Sequence, residues 1–107
     1  MGASKEDHFS QRHNAAAKMF RALGHPARVA IVETLLRQKA CMCGEIVDRI
    51  PLAQPTVSRH LKELKEAGII QGTIEGPSVC YCIKPEALEK ISELLDLWKN
   101  KNHANCC

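Results

Sequence analysis

The chain has 107 residues, 45% hydrophobic and 25% charged, the balance of one soluble globular domain with too little material for two cores. Its net charge of +3 admits a polyanionic partner without requiring one. No apolar run approaches the ~20 residues of a membrane span, and residues 1–13 are polar, without the apolar centre of a signal peptide, so a cytoplasmic protein with no membrane contact is expected. Aromatic residues make up only 4%, so the core must be mainly aliphatic.

In chain order, residues 1–9 read as a flexible leader and 10–101 as one folded domain. A first helix is expected over 10–23, with Ala16, Met19, Phe20 and Leu23 along one side. Gly24-His25-Pro26 breaks it, and Pro26 suits the first turn of a second helix reaching Gln38. Val29, Val32, Leu35 and Leu36 are its expected inner face. A short third helix over 43–50 carries Ile46, Val47 and Ile50 and stops at Pro51.

The fourth helix, over 54–67, is the most sharply bounded. Pro55 fits its first turn, and Gly68 sits where a helix ends. Val57, Leu61 and Leu64 form a buried stripe at helical spacing. Gln54, Thr56, Ser58, Arg59, His60, Lys62 and Lys65 supply short hydrogen-bonding groups and cations suited to base edges and phosphates in a DNA major groove. His60 also reads as a packing or hydrogen-bonding residue of that helix. Two short helices joined by a tight turn make a helix-turn-helix unit, and its second helix is the reader.

Residues 69–75 and 79–83 have strand character around the turn Glu75-Gly76-Pro77-Ser78, which predicts a β-hairpin wing beside the reader. Alternation puts Val79, Tyr81 and Ile83 on its inner face, with Cys80 and Cys82 facing away from the core. A last helix over 85–101 carries a seam of Leu88, Ile91, Leu95 and Trp98. That seam, with Met19 and Phe20, is the expected homodimer interface, since helix-turn-helix readers usually bind paired half-sites. Residues 102–107 read as a flexible, cysteine-containing tail. The fold class is therefore mainly α with a small hairpin, in the order α-α-α-α-β-β-α.

The six cysteines fall in close pairs, Cys41/Cys43, Cys80/Cys82 and Cys106/Cys107. None is a Cys-x-x-Cys, which disfavours a zinc ribbon. With no signal peptide, metal or redox chemistry is preferred to a secreted disulfide scaffold. If Cys41 and Cys43 lie on a helix start, their side chains point to nearly opposite sides, and gripping one ion requires that turn to unwind.

Four motifs, in order and spacing, carry a resemblance over about residues 15–98. They are Leu23-Gly24-His25-Pro26-Ala27-Arg28, Cys41-Met42-Cys43-Gly44-Glu45-Ile46, Gln54-Pro55-Thr56-Val57-Ser58-Arg59-His60-Leu61 and Ala67-Gly68-Ile69-Ile70. Together they resemble the ArsR/SmtB family of bacterial metal- and redox-sensing repressors. The resemblance implies a winged helix-turn-helix homodimer on operator DNA, released by an inducer, and no enzymatic activity. Cys41 and Cys43 resemble the arsenic-sensing branch, which implies trivalent arsenic or antimony as inducer. That branch has a third cysteine where this chain has Ile46, so the third sulfur is expected from Cys106, Cys107, Cys80, Cys82 or a small thiol. The family's zinc site on the final helix is not reproduced, because Asp96 and His103 lack its spacing. A thiol redox or persulfide switch and a cadmium or lead sensor remain as alternatives on the same fold.

Overall fold

The computed structural model describes residues 8–38 and 41–101. The elements are α1 (Gln11–Leu23), α2 (Pro26–Gln38), α3 (Glu45–Arg49), α4 (Gln54–Glu66), β1 (Ile70–Glu75), β2 (Ser78–Ile83) and α5 (Pro85–Lys101). This is a winged helix-turn-helix in the expected order. The leader call on residues 1–9 and the tail call on 102–107 fall wholly or largely outside the described residues.

Local chemistry sets most boundaries. The Ser10 hydroxyl accepts from the His13 N–H and caps α1. His25 caps α2, its Nδ1 accepting from the Ala27 N–H at 3.0 Å while Pro26 opens the helix. At the end of α4 the Ile69 N–H reaches the Leu64 carbonyl and the Gly68 N–H the Lys65 carbonyl, with Gly68 at φ 79°. This Schellman closure satisfies two orphan carbonyls and needs a left-handed residue at that point.

The core is aliphatic. Ile31, Val32 and Leu35 of α2, Ile46 of α3, and Val57, Leu61 and Leu64 of α4 pack with Met42, Ile50, Ile69 and Ile70. Val29 and Leu36, expected on the inner face of α2, are exposed instead. The buried stripe is centred on Ala27, Ile31 and Leu35, and those two side chains flank it.

β1 and β2 form an antiparallel hairpin pairing Ile70 with Ile83, Gly72 with Tyr81 and Ile74 with Val79. Tyr81 and Ile83 pack on the core as expected. Val79 does not; it and Ile74, the latter 80% exposed, project with the hairpin tip beyond the helices. A second correction concerns α3. It begins at Glu45, because Met42 is held in an antiparallel bridge to Tyr81, through N···O distances of 2.9 and 2.7 Å. Cys41 and Cys43 are therefore on an extended lead-in, and their side chains share one face. No helical turn has to unwind for both to meet one ligand.

Gly68→Ala tests the closure of α4. A Cβ there meets no atom within 4 Å, so the cost is purely conformational. Urea unfolding is expected to show a loss of about 1–2 kcal/mol; unchanged stability contradicts the left-handed closure.

Candidate nucleic-acid interface and sulfur site

The reading helix α4 buries Val57, His60, Leu61 and Leu64, which fixes its rotation about its axis. Gln54, Ser58, Arg59, Lys62 and Lys65 are exposed on the opposite side, and Thr56 is half-buried at their edge. Four residues, Ile50 to Ala53, join α3 to α4, and Pro55 lies in the first turn. Hydroxyl and amide groups are thus near the front of the helix, and the cations follow. Such an array can contact base edges and phosphates.

His60 departs from that set. It is only 7% exposed, and its Nδ1 accepts from Arg28 Nε at 3.0 Å. Its ring lies 4.3 Å from that of His25. It packs against α2 and is not part of the exposed face of the helix. Arg28 in turn donates through Nη1 to the Ala22 and Arg21 carbonyls at the end of α1. One guanidinium thus connects α1, α2 and the reading helix. Burial first, then the positive or ionisable groups of His25, Arg28 and Arg59, lower the His60 pKa from its usual 6.5, while Glu63 opposes them.

The cysteines give the second half of the site. Cys41 is bonded to Cys82 and Cys43 to Cys80, with Cα atoms 4.5 and 3.9 Å apart. Both pairs follow from the register. Met42 and Tyr81 exchange two backbone hydrogen bonds, so the residues on either side form the close, non-hydrogen-bonded pairs of an antiparallel ladder. All four sulfurs lie on the face of β2 opposite Tyr81 and Ile83. The expectation that Cys80 faces away from the core is met in direction but not in exposure. Cys80 is 4% exposed, because the lead-in to α3 runs beside β2 and covers it. In this bonded state, among the described residues, no group of three or more His, Cys, Asp or Glu is arranged to hold a metal ion. Cys106 and Cys107 lie outside the described residues. Spacing alone could not reveal the four-sulfur cluster, although the alternation Cys-Met-Cys was a visible sign of a strand.

The remaining expected residues lie between α1 and α5. Met19, Phe20, Leu88 and Ile91 are half-buried, whereas Leu95 and Trp98 are exposed. Phe20 and Trp98 have ring centroids 6.0 Å apart. Met19, Phe20 and Ile91 also line an apolar groove of about 400 Å³. Leu94 and Leu97 line it too and were not in the expected seam.

The geometry defines a class, the winged helix-turn-helix DNA-binding proteins. A family model described as "Helix-turn-helix domain" matches residues 23–73. The chain is 36% identical over 87 residues to the uncharacterized HTH-type transcriptional regulator MJ1325 of Methanocaldococcus jannaschii, a match covering 80% of this chain and 97% of that protein. It is 41% identical over 78 residues to the HTH-type transcriptional repressor SmtB of Mycobacterium tuberculosis, and 32% identical over 78 to the arsenic resistance transcriptional regulator ArsR1 of Pseudomonas putida. These matches cover 73% and 72% of this chain but only 57% and 60% of those two relatives. In fold it is similar to an ArsR-like transcriptional regulator from Rhodococcus sp. RHA1, with TM-score 0.76, 22% identity and 86% of each chain covered. The chain belongs to the ArsR/SmtB family of helix-turn-helix transcriptional regulators, a family of DNA-binding rather than enzymatic proteins. Among the described residues no helix is long and apolar enough to cross a membrane.

Two outcomes are expected. Arg59→Ala weakens operator binding by about 1–3 kcal/mol if Arg59 reads a base, or lowers the salt dependence by about one ion if it meets a phosphate; unchanged affinity and salt slope contradict the placement of the reading face. The second outcome concerns pH. The folded state keeps His60 neutral, so the unfolded chain takes up the proton first as pH falls. Stability from this group is intact above about 6.5 and is lost as pH drops below that value towards the lowered folded pKa. Thermal melts from pH 7.5 to 5.5 should fall less steeply for His60→Gln than for the parent; equal slopes contradict the assignment.

Proposed function

We propose that the protein is a homodimeric operator-binding repressor, induced when trivalent arsenic or antimony is captured by thiolates at the lead-in to α3. The observation that carries this reading is the shared face of Cys41 and Cys43, opposed by Cys80 and Cys82 across the Met42–Tyr81 bridge. Thiolates are soft donors that select thiophilic ions. With both disulfides reduced, Cys41 and Cys43 supply two sulfurs and the wing supplies the third, from Cys80 or Cys82. The sulfur missing at Ile46 is thereby replaced from a neighbouring strand. A ligand spanning the lead-in and the wing acts on two elements whose relative placement sets DNA contact. Inducer and operator then oppose one another. The arsenic-resistance name of the Pseudomonas relative supports the same inducer class.

The dimer is proposed through α1 and α5. Leu95, Leu97 and Trp98 are exposed beside the apolar groove, and Ala87 is the only buried residue of α5. A second subunit would cover that face.

A second reading, a thiol redox switch, is favoured by the pairing of all four cysteines as disulfides. Fluorescence anisotropy of operator DNA with fully reduced protein separates the readings when arsenite, cadmium and a persulfide donor are added separately. Release by arsenite is expected. Cys41→Ser and Cys43→Ser should keep operator affinity within about twofold and lose that release. Release by the persulfide donor and not by arsenite makes the protein a redox sensor; arsenite release that persists in both variants overturns the site.

A further inference from the structure

The two disulfides differ in a way that their sequence positions do not suggest. Cys41 is exposed and Cys82 half-buried, so one bridge is open to solvent on its lead-in side. The other joins half-buried Cys43 to Cys80, which is 4% exposed. Cys80 is mid-strand, paired with Thr73 of β1 on one side and opposite Cys43 on the other. Between the bridges stands the Met42–Tyr81 pair, with Met42 in the hydrophobic core. Thiol–disulfide exchange requires a thiolate to approach one sulfur directly, so access governs which bridge reacts.

We infer that Cys41–Cys82 is an exchange-active disulfide, a modification site for a small thiol or dithiol reductant, while Cys43–Cys80 is a retained tether. This inference rests on the sulfur-site reading above but not on the identity of the inducer. With a dithiol reductant, one reductant thiolate attacks a sulfur of the outer bridge. The Cys–Cys bond breaks, a mixed disulfide forms and the other cysteine leaves as thiolate. The second reductant thiol then displaces the remaining cysteine and closes the reductant to its own disulfide. Two electrons pass from reductant to protein, and the two reductant protons balance the two new cysteine thiolates. The product is a half-open state. Its wing stays joined to the lead-in two residues before α3, and it frees one thiol on the lead-in, Cys41, and one on β2, Cys82. Full assembly of a three-sulfur site then requires the inner bridge to open as well, so the tether sets a second, more reducing threshold for the inducer.

The test uses the oxidised full-length chain titrated with dithiothreitol, quenched with N-ethylmaleimide and quantified at each cysteine by peptide mass spectrometry. Cys41 and Cys82 are expected to be labelled together, at a dithiothreitol concentration at least tenfold below that labelling Cys43 and Cys80. Simultaneous labelling of all four, or prior labelling of Cys43 and Cys80, overturns the inference. The Cys43→Ala/Cys80→Ala double variant checks the result independently of the tether. Its remaining bridge should open at the low threshold; opening only at the high one also overturns the inference. The readout needs no DNA. A protein that opens in this order but binds no operator loses the repressor reading alone, and one that binds operator but opens otherwise loses only this inference.

Discussion

The pair of backbone hydrogen bonds between Met42 and Tyr81 is the constraint on which the site depends. It holds three residues that could have extended α3 as a lead-in bridged to β2 through Met42. Antiparallel geometry then dictates the rest. Side chains two apart share a face, and the residues flanking a hydrogen-bonded pair come closest to their partners. Four cysteines thereby become two facing pairs. Met42 itself points the other way and is 2% exposed in the core, so this short bridge is anchored by apolar packing as well as by its hydrogen bonds.

The reading helix is held by a second constraint. Its stripe of Val57, Leu61 and Leu64 is fully desolvated, which fixes the rotation that leaves Arg59, Lys62 and Lys65 outside. Arg28 adds a polar lock by donating to His60 on α4 and to the last carbonyls of α1. A cation at a helix C-terminus is favourably placed. Residues of α3, α4 and the wing share one aliphatic core, and the proposed function requires that a change in how the lead-in meets β2 be passed through it to the reading helix.

Much of this was legible in the sequence, for identifiable reasons. Proline at the start and glycine at the end bounded α4, and the 3.6-residue spacing of Val57, Leu61 and Leu64 gave its buried face. Alternation gave the hairpin and the common face of Cys80 and Cys82. What failed was long-range. Nothing local tells that Met42 pairs with Tyr81, so Cys41 and Cys43 looked like a helix start, and Cys80 looked solvent-facing. His60 lies beside Arg59 in the chain, and its burial depends on a partner 32 residues away. The expected seam of Leu88, Ile91, Leu95 and Trp98 shares Ile91 with the groove against α1, which adds Leu94 and Leu97, because the facing helix decides which stripe is covered within the chain.

The account makes the sulfur site and the DNA-reading surface two ends of one equilibrium. Thermodynamic linkage then requires that whatever arsenite does to operator affinity, operator does to arsenite affinity by the same factor. The most direct measurement is arsenite binding by the fully reduced protein, titrated with and without saturating operator DNA. The account predicts weaker arsenite binding in the presence of operator, by the factor with which arsenite weakens operator binding. Equal arsenite affinity in both titrations would contradict it, and would leave the cysteines as a site unconnected to DNA.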